Sequence, residues 1–83
     1  MARVEVHLWS GLRALVGGGE TVTVEADTIG QMLDALVAAH PALAPMIEAG
    51  VSVSIDGRII ASSLSEPVKE GQEIYLMQRL KGG

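Results

Sequence analysis

The chain's chemistry concentrates in its carboxyl-terminal stretch, Gln78-Arg79-Leu80-Lys81-Gly82-Gly83. An apolar run, Ile74-Tyr75-Leu76-Met77, gives way to a basic step and then to paired glycines. Glycine has no Cβ, so such an end can enter a channel too narrow for other residues and take φ values they avoid. A terminal α-carboxylate is ionised at neutral pH and is a competent, if weak, nucleophile. Attack on the α-phosphorus of ATP would make it an acyl-adenylate, from which a sulfur nucleophile could displace AMP. From Gln78 onward, backbone extended at ~3.3 Å per residue spans about 20 Å, enough to reach an active site buried in a partner. On this reading the chain supplies reach and thinness, while a partner supplies ATP, magnesium and catalysis. The other reading is a frayed terminus of the ordinary kind.

Other chemistries find little support. His7 and His40 fall in different predicted elements, and neither has the further partners at defined spacing that a metal site or a general base needs. Ser52, Ser54, Ser62, Ser63 and Ser65 lack a nucleophile elbow around them. Gly17-Gly18-Gly19 leads into a strand pattern without the Gly-Lys-Ser/Thr ending of a phosphate loop, so it reads as a turn. Glu66, Glu70 and Glu73 are dispersed and read as solvated. The expectation is a chain that binds no cofactor and performs no side-chain catalysis of its own.

Positioning such an arm requires a small, self-sufficient body. At 83 residues the chain has room for one core, and 48% hydrophobic with 19% charged residues describes a globule rather than disorder. There is no cysteine, which excludes disulfides, thiolate metal sites and a cysteine nucleophile. A net charge of −4, with six scattered Lys and Arg, argues against nucleic acid as a partner. Met1-Ala2-Arg3-Val4-Glu5 passes directly into alternation without an apolar leader, and no apolar run approaches a membrane span. A soluble, cytoplasmic protein with no membrane partner is expected.

Val4, Val6 and Leu8 alternate with Glu5, His7 and Trp9 as in a strand with one buried face. Leu12 and Leu15, three apart, suit a helical turn capping one end of the core. After the glycine run, Thr21-Val22-Thr23-Val24-Glu25 alternates again and predicts a second strand, antiparallel to the first. The clearest helix spans Thr28 to Ala39: Thr28 with Gln31 fits a capping box, and Ile29, Met32, Leu33, Leu36 and Val37 form one stripe. Pro41 ends it at His40. Leu43, Met46 and Ile47 fit a further short turn before Gly50. Val51 to Ile55 alternates, Asp56-Gly57 signals a tight turn, Arg58-Ile59-Ile60 returns, and Glu73 to Met77 forms the last strand. Two strands, a helix crossover and further strands predict an α+β roll with the first and last strands central. In the last strand Tyr75 and Met77 point opposite to Ile74 and Leu76. Tyr75 and Met77 therefore either face a partner beside the arm or pack under a neighbouring loop. Arg13, Arg58, Arg79 and Lys81 are candidates to meet an acidic partner surface.

Along its whole length the chain resembles the MoaD/ThiS family of ubiquitin-like sulfur carriers. The resemblance rests on Leu12-Arg13, Asp27-Thr28-Ile29-Gly30, the leucine-rich helix ending in His40-Pro41, Asp56-Gly57, Val68-Lys69-Glu70-Gly71-Gln72-Glu73-Ile74 and the terminal Gly82-Gly83. It implies a β-grasp roll over residues 1–77, with a mixed sheet of about five strands and one main helix, and an extended flexible tail over residues 78–83. It also implies that an E1-like adenylyltransferase activates Gly83 using ATP and magnesium. A desulfurase- or rhodanese-type donor then supplies sulfur, giving a thiocarboxylate. Gly82, Gly83, Lys81, Leu80 and Arg79 would insert into the large molybdopterin synthase subunit or another sulfur-accepting enzyme, with Tyr75 and Met77 beside it. The His-Pro helix end and the chain length favour the molybdopterin type over the shorter thiazole type. Where that type commonly carries Pro-Pro, this chain has Gln78-Arg79, and Arg-Leu-Lys-Gly-Gly is similar to the tail of ubiquitin. Carriers for thiamin, cysteine or tRNA thiolation, and a protein modifier or interaction module, are the alternatives.

Overall fold

A computed structural model describes residues 2–60 and 64–78. The alternating amino-terminal segment forms β1 (Ala2–His7), with Val4 and Val6 buried and Leu8 following them inward. It pairs antiparallel with β2 (Thr21–Ala26), from Ala2 opposite Ala26 to His7 opposite Thr21. The connection is helical, α1 (Ser10–Arg13) followed by a 3₁₀ turn over Ala14–Val16. Leu12 is fully buried there, whereas Leu15 is 38% exposed and Val16 packs against the core in its place. The inward position after Leu12 is thus Val16.

The crossover helix α2 (Ile29–Ala39) buries Ile29, Met32 and Leu36, with Leu33 partly buried beside them. Its start explains the Asp27-Thr28-Ile29-Gly30 sequence. Thr28 Oγ1 accepts from Gln31 N at 3.2 Å, and Gln31 Oε1 accepts from Asp27 N at 2.8 Å, one residue before the donor a capping box usually serves. The first helical N–H groups, which no helix can satisfy internally, donate across the chain: Ile29 N to the Glu66 carbonyl at 3.0 Å and Gly30 N to the Leu64 carbonyl at 2.9 Å. Gly30 is the residue that permits this approach, since a Cβ there would lie 3.2 Å from the Leu64 oxygen. That contact offsets the ~1 kcal/mol a glycine costs a helix relative to alanine.

His40 closes α2 with extended φ of −136°, and Pro41 opens a second 3₁₀ turn over Pro41–Leu43 that buries Leu43 completely. α3 (Ala44–Ala49) follows and stops at Gly50, where φ is 114°. The single short turn expected after Pro41 is therefore two pieces. β3 (Val51–Ile55) and β4 (Arg58–Ile60) form a hairpin through Asp56 and Gly57, both left-handed with φ of 50° and 84°, as a type I′ turn requires. β5 (Ile74–Gln78) starts and ends one residue later than its sequence pattern suggests.

The five strands lie in the order β2-β1-β5-β3-β4. β5 is parallel to β1 and antiparallel to β3, so the first and last strands are adjacent in the middle of the sheet, as expected. The helices cover one face, and Val4, Val6, Leu12, Met32, Leu36, Leu43, Ile55, Ile74 and Leu76 form the core between the layers. Among the described residues no helix is long and apolar enough to cross a membrane.

The β3–β4 turn also fixes where β5 begins. Asp56 N donates to the Glu73 carbonyl and Glu73 N donates to Asp56 Oδ1, both at 2.9 Å. An aspartate or asparagine suits this position because it tolerates φ above zero and its short side chain reaches the neighbouring backbone. Asp56→Ala should lower unfolding free energy by about 1–2 kcal/mol, from a lost hydrogen bond and an unfavourable left-handed alanine. Asp56→Asn should retain most of the stability. Chemical denaturation of the three proteins checks both.

Candidate docking face and terminal arm

The face of the sheet away from the helices carries the second set of alternating residues. One cross-strand row runs the full width of the sheet, Ile59, Ser54, Tyr75, His7 and Thr21, each directly opposite the next. Tyr75 is 43% exposed and Ile59 66% exposed on this open face, while Ser54 between them is buried. Met77, opposite Ser52, is half-buried one row nearer the end of β5. Tyr75 is thus exposed on the open face rather than buried. Its ring stacks on the His7 imidazole, with centroids 4.4 Å apart and planes inclined by 19°.

Beside this row the open face turns polar. Arg3, Glu5, His7 and Thr23 line a groove of about 500 Å³ with the Gly71–Glu73 segment. His7 Nε2 lies 3.8 Å from Glu5 Oε1. The two histidines are not brought together: His7 is on the open face, and His40 caps α2 on the covered one. No group of three metal-ligating side chains occurs among the described residues. Arg13 Nε donates to the Leu8 carbonyl at 3.2 Å and ties α1 to the end of β1. This contact gives the Leu12-Arg13 pair a structural explanation. Arg58 remains exposed.

β5 delivers the chain to its end. The strand runs past Tyr75 and Met77 to Gln78, which pairs with Val51. Of the arm residues singled out from the sequence, Arg79, Leu80, Lys81, Gly82 and Gly83 lie outside the described residues. His7 and Ile59 are members of the face that sequence reasoning did not assign. Ile59 had a signal, since a two-residue Asp-Gly turn places it opposite Ser54 on the polar face. Alternation set His7 on the outward side of β1, but its neighbour Tyr75 lies far along the chain and is reached only through the β1–β5 pairing.

A mixed five-stranded sheet wrapped on one principal helix, with its two outermost chain segments paired in parallel at the centre, is a ubiquitin-like β-grasp domain. The chain belongs to the ThiS family, whose model matches residues 6–83, and is thus a non-catalytic member of the ubiquitin-like sulfur carriers and modifiers. It is 36% identical over 80 residues to small archaeal modifier protein 1 of Haloferax volcanii, covering 84% of this chain and 90% of that one. The solution structure of small archaeal modifier protein 1 from Methanosarcina acetivorans superposes with a TM-score of 0.82 at 26% identity, covering 100% of this chain and 98% of the other. The fold also matches a chain in the protein–protein complex of subunits 1 and 2 of the molybdopterin-converting factor from Helicobacter pylori, with TM-score 0.67, 21% identity and coverage of 98% and 99%.

The two faces of β5 should separate cleanly on mutation. Leu76, 2% exposed, lies in the core, so Leu76→Ala should cost about 2–5 kcal/mol. Tyr75→Ala, on the open face, should cost about 1 kcal/mol, from lost stacking and partial burial. Parallel thermal and denaturant unfolding of the two variants measures the difference.

Proposed function

We propose that this chain is a sulfur carrier whose Gly83 carboxylate is adenylated by a partner enzyme, converted to a thiocarboxylate, and presented to a sulfur-accepting enzyme. The observation that carries the reading is a family match running to residue 83, through the glycine pair and the strand that leads to it. In the first step a carboxylate oxygen attacks the α-phosphorus of ATP and pyrophosphate leaves. A persulfide sulfur then attacks the acyl carbon and AMP leaves. Cleavage of the remaining S–S bond by a thiol yields the thiocarboxylate. ATP and magnesium belong to the activating partner, and the chain contributes a terminus thin enough to enter two different active sites.

The open face, with Tyr75, Met77 and Ile59 beside the point where the arm departs, is the docking surface for those partners. An exposed aromatic ring buries much area with few rotatable bonds, and aromatic and methionine residues are enriched at interfaces. The first destination we assign is molybdopterin synthesis, with a larger synthase subunit as acceptor. A second reading, attachment of the tail to protein amines, is favoured by the 36% identity to a protein named as a modifier. The cytoplasm is the proposed setting.

Incubation with ATP, magnesium, the cognate activating enzyme and a sulfur source should raise the intact mass by about 16 Da as sulfur replaces oxygen at the terminus. An unchanged mass in the presence of demonstrably active enzyme would sink the carrier reading. Deleting Gly82-Gly83 should abolish the mass change and leave the unfolding midpoint intact. Tyr75→Ala should lower kcat/KM for adenylation by about tenfold, the loss of a mid-sized interface contact.

A further inference from the structure

The proposed chemistry makes the chain's own end an acylating agent, so the nucleophiles on its own surface matter. They are few. There is no cysteine, and four of the six basic residues are arginine: Arg3, Arg13, Arg58 and Arg79. A guanidinium stays protonated and does not attack an acyl group. The side-chain amines are Lys69 and Lys81, and Lys81 belongs to the arm itself. Lys69 is therefore the single side-chain amine of the globular body.

It is also well presented. Lys69 is exposed and opens the turn that precedes β5. The turn backbone is held from both sides: Lys69 N donates to Gln72 Oε1 at 2.7 Å, Gln72 N donates to the Lys69 carbonyl at 3.3 Å, and Gly71 takes φ of 87°. No ion pair or hydrogen bond with another described residue engages the ammonium. The side chain projects from a fixed base, its amine unengaged among the described residues.

We infer that Lys69 is an acceptor site for the activated terminus of a second copy of this chain, giving an amide between Gly83 of one and Lys69 of the other. This rests on the carrier reading, because it needs the acyl-adenylate. The Lys69 amine, as the neutral base, attacks the acyl carbon. The C–N bond forms, the bond from carbon to the AMP oxygen breaks, AMP leaves with the electron pair, and the ammonium proton passes to water. One ATP yields AMP and pyrophosphate for each linkage. The reaction runs between copies because Lys69 precedes β5 and the arm follows it. The arm from Arg79 to Gly83, ~17 Å at full extension, would have to reverse and run back along the strand it has just left. A sulfur donor competes for the same intermediate, so the linkage forms when activation outpaces sulfur supply.

The test incubates the full chain with its activating enzyme, ATP and magnesium, without a sulfur source. ATP–pyrophosphate exchange, intact mass and peptide mapping are then followed. The expected product has twice the chain mass less one water, with a Gly-Gly remnant on Lys69. Lys69→Arg should reduce it at least about tenfold with exchange unchanged, the arginine keeping charge without nucleophilicity. Exchange without a doubled species, or with the linkage mapped to Lys81 or the amino terminus, overturns this inference alone. Absence of exchange overturns the carrier reading and this inference together.

Discussion

The parallel pairing of β1 with β5, Val6 opposite Ile74 and His7 opposite Tyr75, is the constraint on which the rest of the molecule depends. Parallel neighbours cannot be joined by a tight turn, so everything between them serves as crossover: β2, α2, α3 and the β3–β4 hairpin. The pairing buries Val6 and Ile74 together against the helices and turns His7 and Tyr75 together to the open face. A shift of one residue would exchange those sets. It would bury the tyrosine, expose the isoleucine, and move the start of the arm along the sheet.

Because the β1–β5 ladder is short, its register is fixed from outside as well. On one flank, β3 pairs with all of β5 from Val51–Gln78 to Ile55–Ile74. At the entrance, Asp56 clasps Glu73 through both backbone and side chain. The preceding segment is tied to α2 through the Leu64, Glu66 and Asp27 carbonyls. Residues that look like isolated family signatures, Thr28, Gly30, Asp56 and Gly71, thus act on one outcome. Each fixes the path of the chain from α2 or the hairpin turn into the last strand.

Much of this was legible in the sequence where the signal is local. Alternation identified the strands, the Thr28–Gln31 pair located the helix start, and Asp56-Gly57 set the hairpin. What escaped was long-range or compensated. His7 gave no sign of its partner because only the assembled sheet brings it to Tyr75. Gly30 read as a flaw in a helix until the Leu64 carbonyl appeared 3.2 Å from its absent Cβ. Leu15 and Val16 compete for one inward position, and hydrophobicity alone does not distinguish them. For the arm, composition carried the argument, and residues 79–83 add no geometry to it.

On the proposed reading the chain visits an activating enzyme and then an acceptor, and must bind each one weakly enough to leave. The open face fits that demand: two large side chains, Ile59 and Tyr75, stand in a row whose other members are small or polar. Such a patch is too narrow for the broad apolar contact of an obligate complex, and it suits interfaces at the low end of the size range. Without cysteines, folding stability must come from the core on the opposite face. The two faces are segregated by the pleat of a single strand: Ile74 and Leu76 hold the fold, while Tyr75 and Met77 lie on the open side. That division lets Tyr75, Met77 or Ile59 change at little cost to the fold, which is what the proposed docking role would need.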